Sequence, residues 1–97
     1  MRPMKATPIQ RLKQAYAGGV VEINIWRVSS PVLPSAHNYK YRLVYVVEGT
    51  RLLGYDNERG KGDHRHTDGA ELPYEFIDVT TLLADFWRAV REIGGRK

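Results

Sequence analysis

Ninety-seven residues with three histidines and no cysteine bound the chemistry at once: one domain with one modest core, no disulfide, no thiolate metal site and no catalytic thiol. A net charge of +4 and a pI near 9.6 favour an anionic partner. No apolar run approaches the ~18 residues that cross a bilayer, and a hydrophobic fraction of 42% belongs to a folded globule. Met1 to Gln14 is basic without an apolar stretch, so it is not a secretory signal, and the absence of cysteine fits a reducing cytoplasm.

In chain order, Thr7 and Pro8 predict the cap and first turn of a helix that carries Ile9, Leu12, Lys13 and Tyr16 on one side and stops at Gly18-Gly19. Its apolar stripe is thin, which suits packing on an edge or contact with a partner. Val20 to Val28 reads as a strand, with Val21, Ile23 and Ile25 alternating with Glu22 and Asn24. The phase slips near Ile25-Trp26, which predicts a bulge or a strand covered on both faces. Ser29 to Asn38, with two prolines and His37 at its end, is a loop.

Tyr39 to Val47 is the clearest strand. Tyr39, Tyr41, Leu43, Tyr45 and Val47 share one face; Lys40, Arg42, Val44 and Val46 share the other. Glu48-Gly49 predicts a two-residue hairpin, and Thr50 to Tyr55 returns antiparallel. Asp56 to Gly62 is a turn-rich connection, Gly69 marks another turn, and Tyr74 to Val79 forms a last short strand. Asp78 or Thr80 caps a final helix, Thr81 to Ile93, whose Leu82, Leu83, Phe86, Val90 and Ile93 form a core stripe. The expected fold is therefore α+β: about four antiparallel strands with an N-terminal and a C-terminal helix packed on one face.

Chemistry concentrates in Arg59-Gly60-Lys61-Gly62-Asp63-His64-Arg65-His66. Histidines titrate nearest neutrality, and beside lysine and arginine they resemble equipment for proton transfer at a phosphate. A solvated hairpin loop is the bland alternative for the same residues.

From Tyr41 onward the chain resembles the TumE-like toxins of type II toxin–antitoxin modules. The resemblance is carried by Tyr41-Arg42-Leu43-Val44-Tyr45, Gly54-Tyr55-Asp56-Asn57, Gly60-Lys61-Gly62-Asp63-His64-Arg65-His66, Pro73-Tyr74-Glu75-Phe76 and the helix with Leu82, Asp85-Phe86 and Val90. It implies a single-domain toxin encoded beside a helix-turn-helix antitoxin that silences it, with RNA or translation as the target. The thin stripe of the first helix is the expected part of the antitoxin contact. Self-association is left open.

With RNA as the substrate, metal-free cleavage requires a base for the 2′-hydroxyl, an acid for the leaving oxygen and cations for the phosphate. His64 and His66 fill the first two roles, because residues two apart on a strand face the same way, roughly 6–7 Å apart. Lys61, Arg65 and Asp63 complete the expected catalytic set, although Arg65 faces away from the histidines in an extended segment. Arg59, Tyr55, Arg42 and Lys40 are the expected substrate contacts, Tyr55 by stacking a base. No cofactor is required on this reading. The rival is a metal held by His64 and His66 with Asp56, Asp63 or Asp68, and with His37 if its loop folds over the site. A third reading is a non-enzymatic module in which Lys40, Arg42, Arg51, Arg59, Lys61 and Arg65 track phosphates.

Overall fold

The computed structural model describes residues 5–95; the basic start of the chain, residues 1–4, lies outside them. Six strands follow one another and pair in sequence order: β1 (Ala6–Tyr16), β2 (Gly19–Val28), β3 (Tyr39–Val47), β4 (Thr50–Glu58), β5 (Gly62–Thr67) and β6 (Ala70–Pro73). Every pairing is antiparallel. A single helix, α1 (Val79–Gly95), closes the fold. The class is α+β as expected, with two corrections: the sheet has six strands, and the N-terminal helix does not exist.

The segment read as that helix is β1. Leu12 and Tyr16 are four apart, a spacing that satisfies a helical stripe and a period of two equally well. Pairing with β2 decides between them, because it sets Leu12 opposite Ile23 and lays Leu12 and Tyr16 against the core. Gly18 and Gly19 belong to a hairpin rather than a helix stop. Ala17 and Gly18 have φ of 44° and 80°, the left-handed conformation of a two-residue turn. The bulge expected in β2 lies across from it, in β1 between Pro8 and Gln10, opposite Trp26 and Ile25.

Gly19 is required for a different reason: a Cβ there would lie 2.5 Å from the Val46 carbonyl oxygen and 2.6 Å from Val47 Cγ2. Gly19→Ala is therefore expected to cost about 1–3 kcal/mol through forced backbone displacement. The check is a lower urea midpoint at an unchanged m-value.

β3 and the Glu48-Gly49 hairpin, with φ of 51° and 77°, fall where the alternation places them. β4 runs on through Asp56 and Asn57, both buried, so this stretch is strand and not connection. The last strand is Ala70–Pro73, after a turn at Asp68-Gly69; residues 74–78 are irregular. Asp78 caps α1, its Oδ1 accepting from the Thr81 amide at 2.7 Å. That bond to the amide and the Thr81 side chain hold the Asp78 carboxyl below its ordinary range.

The helix lies on one face of the sheet. Leu82, Phe86 and Val90 are fully buried against Ile23, Ile25, Leu43, Tyr45, Leu53 and Tyr55. Each such side chain contributes roughly 1.5–3 kcal/mol through removal from water. Asp85 and Arg88 pair on the wet side at 2.6 Å. Because α1 covers only the face of Tyr41, Leu43 and Tyr55, the alternating residues Arg42, Asp56, His64 and His66 lie on the helix-free face.

Candidate functional site

Pairing of β4 with β5 sets Asp56 directly opposite His64, and Gly54 opposite His66. Asp56, His64 and His66 consequently share one face across two strands. His66 Nε2 is 3.8 Å from Asp56 Oδ1, and the two imidazole rings meet edge to face with centroids 4.8 Å apart. Gly54 leaves the space beside them: a Cβ there would lie 3.6 Å from His66 Cδ2 and 3.3 Å from Arg51 Cδ, so the Arg51 side chain borders the site. Arg42 is the partner of Asp56 on β3, and Glu71 is that of His66 on β6.

His64 is the most constrained member. Its Nδ1 faces the Gly62 carbonyl oxygen at 2.9 Å, and since a carbonyl only accepts, Nδ1 carries the hydrogen. In the neutral ring Nε2 then holds a lone pair, yet it lies 2.5 Å from the anionic Asp56 Oδ1 and 3.5 Å from Glu71 Oε1. Both Nε2 and Oδ1 are shut from water, and the contact lacks hydrogen-bond alignment. Two lone-pair atoms this close need either a proton between them or a bound cation beside them. Asp56, His64 and His66 offer one ligand atom each, all within 4.8 Å of one another, the two-histidine, one-carboxylate set that suits zinc, manganese or iron. The Gly62 carbonyl fixes the His64 tautomer, as a backbone acceptor behind a metal-bound histidine does.

A separate polar network occupies the helix side. Asp63 Oδ1 accepts from Ser35 Oγ at 2.5 Å, and Oδ2 accepts from both Tyr41 Oη and His37 Nε2 at 2.7 Å. His37 Nδ1 accepts from the Tyr39 amide, so Nε2 is the protonated nitrogen, and its ring stacks on Phe76 at 3.8 Å. Asn57 completes the network, accepting from the Tyr41 amide and donating to the Tyr39 carbonyl. Burial alone would raise the Asp63 pKa; the hydrogen bonds from Ser35, Tyr41 and His37 outweigh it and hold the carboxyl below its ordinary value. Burial, then the bond to Asp63, pushes the Tyr41 hydroxyl far up, so it stays a donor.

Over residues 5–94 the chain matches the family model described as Toxin TumE. It belongs to the TumE toxin family. Membership implies an antitoxin partner. No curated protein and no solved structure matches the chain. Among the described residues, no helix is long and apolar enough to cross a membrane.

Set against this TumE-family fold, the expected site residues divide. His64 and His66 come together, and Arg42 and Lys40 share their face. Asp63 and Arg65 alternate to the helix side, Asp63 into the network above and Arg65 into a groove with Tyr74, Asp85 and Arg88. Tyr55 is core, edge to face with Tyr74 and Phe86, and has no free face on which to stack a base. Arg59 and Lys61 are exposed in the β4–β5 turn, with Lys61 Nζ 3.9 Å from Glu58. His37 and Asp68 do not join the cluster: His37 is bound to Asp63, and Asp68 forms the β5–β6 turn. Asp56 was expected only as one of three candidate carboxylates for the rival metal reading, otherwise as a turn former at a strand end. Glu71 had no part in the expected chemistry, because its approach to His64 depends on the register of β6.

Proposed function

We propose that the chain is an RNA-directed toxin that cleaves phosphodiester bonds at the Asp56–His64–His66 cluster with the help of a divalent transition-metal ion. The observation that carries the reading is the buried, unaligned approach of His64 Nε2 to Asp56 Oδ1. A proton would satisfy that pair alone, whereas a cation also uses His66 and the nearby Glu71 carboxylate. Metal-free cleavage by a histidine pair is less well supported, because both ring nitrogens of His64 are engaged within the protein and neither is turned to a substrate. A bound divalent ion supplies Lewis-acid stabilisation of a phosphate and lowers the pKa of water. The chain's own residues supply the rest: Arg42 and Arg51 flank the cluster and place cations beside the phosphate, and His66, the more accessible imidazole, would hold the ion together with Asp56 and His64. The helix-turn-helix antitoxin expected from the resemblance silences the toxin by covering this face.

Titration of the metal-free chain with zinc or manganese, followed by calorimetry and thermal melting, tests the reading. One ion per chain and a raised melting temperature are expected, together with cleavage of single-stranded RNA that stops in excess EDTA and returns with metal. Cleavage that persists undiminished in EDTA would overturn the role of the ion and restore the metal-free mechanism.

A further inference from the structure

The helix-free face is divided by charge. On β1–β3 it carries Arg11, Lys13, Lys40 and Arg42 against one acid, Glu22, which is bonded to Asn24. On β4–β6 it carries the imidazoles with Asp56, Glu58 and Glu71, and Arg51 as the cation. The acidic half suits a cation; the basic half suits an anion that must reach it. Register links the two, since Arg11, Asn24, Arg42, Asp56 and His64 are successive partners across five strands. At ~4.8 Å per strand this row spans about 19 Å, the reach of a few nucleotides. An aromatic surface stands beside it. Trp26, half-buried, is the partner of Lys40, and the Arg11 guanidinium lies 5.2 Å from its ring centroid.

We propose that single-stranded RNA lies across the strands on this face. Its phosphates rest on Arg11, Lys13, Lys40 and Arg42, one base stacks at Trp26, and the backbone is led into the Asp56–His64–His66 cluster. The inference rests on the RNA-directed reading above and adds the path and the strandedness of the substrate. An open sheet face with a stacking ring takes unstacked bases, whereas an A-form duplex presents none. Arg11 and Arg42 in one register row, with Lys13 and Lys40 in the rows on either side, follow a single backbone without reading sequence.

The experiment is fluorescence anisotropy of the full chain in EDTA with a fluorescein-labelled single-stranded RNA twelve-mer, a matching duplex, and a range of salt. Wild type is expected to prefer the single strand. The Arg11→Gln/Arg42→Gln variant is expected to bind at least tenfold more weakly and to reduce the slope of log K on log salt by about 1.4, two contacts at ~0.7 each. Trp26→Ala is expected to lose about tenfold with the slope unchanged, which separates stacking from charge. Arg91→Gln, on the exposed side of α1, is the control and changes nothing. Arg11, Arg42 and Arg91 are exposed, so the charge variant and the control should melt close to wild type, and half-buried Trp26 is replaced by Leu as well as Ala to separate lost stacking from lost packing. Tight single-strand binding that both variants retain would overturn the path and leave the RNA-directed reading standing. Preference for the duplex would overturn strandedness. Absence of RNA binding by wild type would overturn path and reading together. Loss of antitoxin binding in the variants, with RNA binding intact, would reassign the face to the protein partner.

Discussion

His66→Ala is expected to abolish growth arrest on induction and to lower RNA cleavage by roughly 100-fold or more, because the ion loses one of its protein ligands and changes merely behind such ligands already cost about 10–100-fold. The fold should survive. The His66 side chain is 19% exposed, and removing it leaves no buried charge behind. His64→Ala is a poorer probe on its own. His64 is 5% exposed, and its loss would take from the buried Asp56 carboxylate its nearest polar neighbour, at a cost of about 1–3 kcal/mol. The His64→Ala/His66→Ala double variant should therefore be both inactive and less stable, while His66→Ala is inactive alone. Asp56→Asn supplies the complementary test, because it keeps the volume and removes the anion. It should weaken metal binding, read by calorimetry, along with cleavage. A folded His66→Ala chain that still arrests growth would remove the cluster from the toxin's chemistry.

β2, β3 and the first part of β4 were legible because their signals are local, whereas β5 and β6 were not, and the strand expected at 74–79 is irregular chain running into α1. The alternation of Tyr39 to Val47 reports its own faces, and Glu48-Gly49 forms the turn that its left-handed backbone requires. α1 was equally plain, since Leu83 and Ile93 join Leu82, Phe86 and Val90 in one stripe that mixes odd and even positions, which a helix allows and an alternating strand does not. β1 failed because its few apolar residues fit both periods, and only its partner strand breaks the tie. The continuation of β4 through Asp56 and Asn57 failed for a related reason. These are turn formers by propensity, and burial against β3 and β5 overrides that preference.

The candidate site was half legible. His64 and His66 had to share a face if their segment was a strand, and they do. The same alternation that turned Arg65 away applies to Asp63, and it excludes Asp63 from the histidines' company. Asp56 is different in kind: its place opposite His64 is set by the three-residue turn at 59–61, so a shift of one residue would have faced His64 with a neighbour of Asp56 instead. The sequence offers Asp56 only as one of three candidate carboxylates beside Asp63 and Asp68, and the cross-strand register is what selects it.

Asp63→Ala is expected to destabilise the chain by about 3–5 kcal/mol, more than its modest size implies. Ser35, His37 and Tyr41 come from the loop and strand on the far side of β4, and all direct their donors at this one carboxylate. With its side chain only 11% exposed, truncation leaves those donors buried without an acceptor. Asp63→Asn should cost less, about 2–3 kcal/mol, because an amide oxygen replaces one acceptor while its NH₂ opposes donors at the other. The two variants also predict a pH dependence. The Asp63 pKa is lower folded than unfolded, so the unfolded chain takes up a proton first as the solution is acidified. The carboxylate's contribution is therefore fully present above the ordinary aspartate value near 3.8 and is lost as pH falls through the folded pKa. Urea unfolding of wild type and Asp63→Asn should show the widest gap at about pH 6–7 and a narrowing one below about pH 4. A gap that stays constant down to strong acid would mean that hydrogen-bond geometry, and not the charge on Asp63, holds the 29–38 loop to β5.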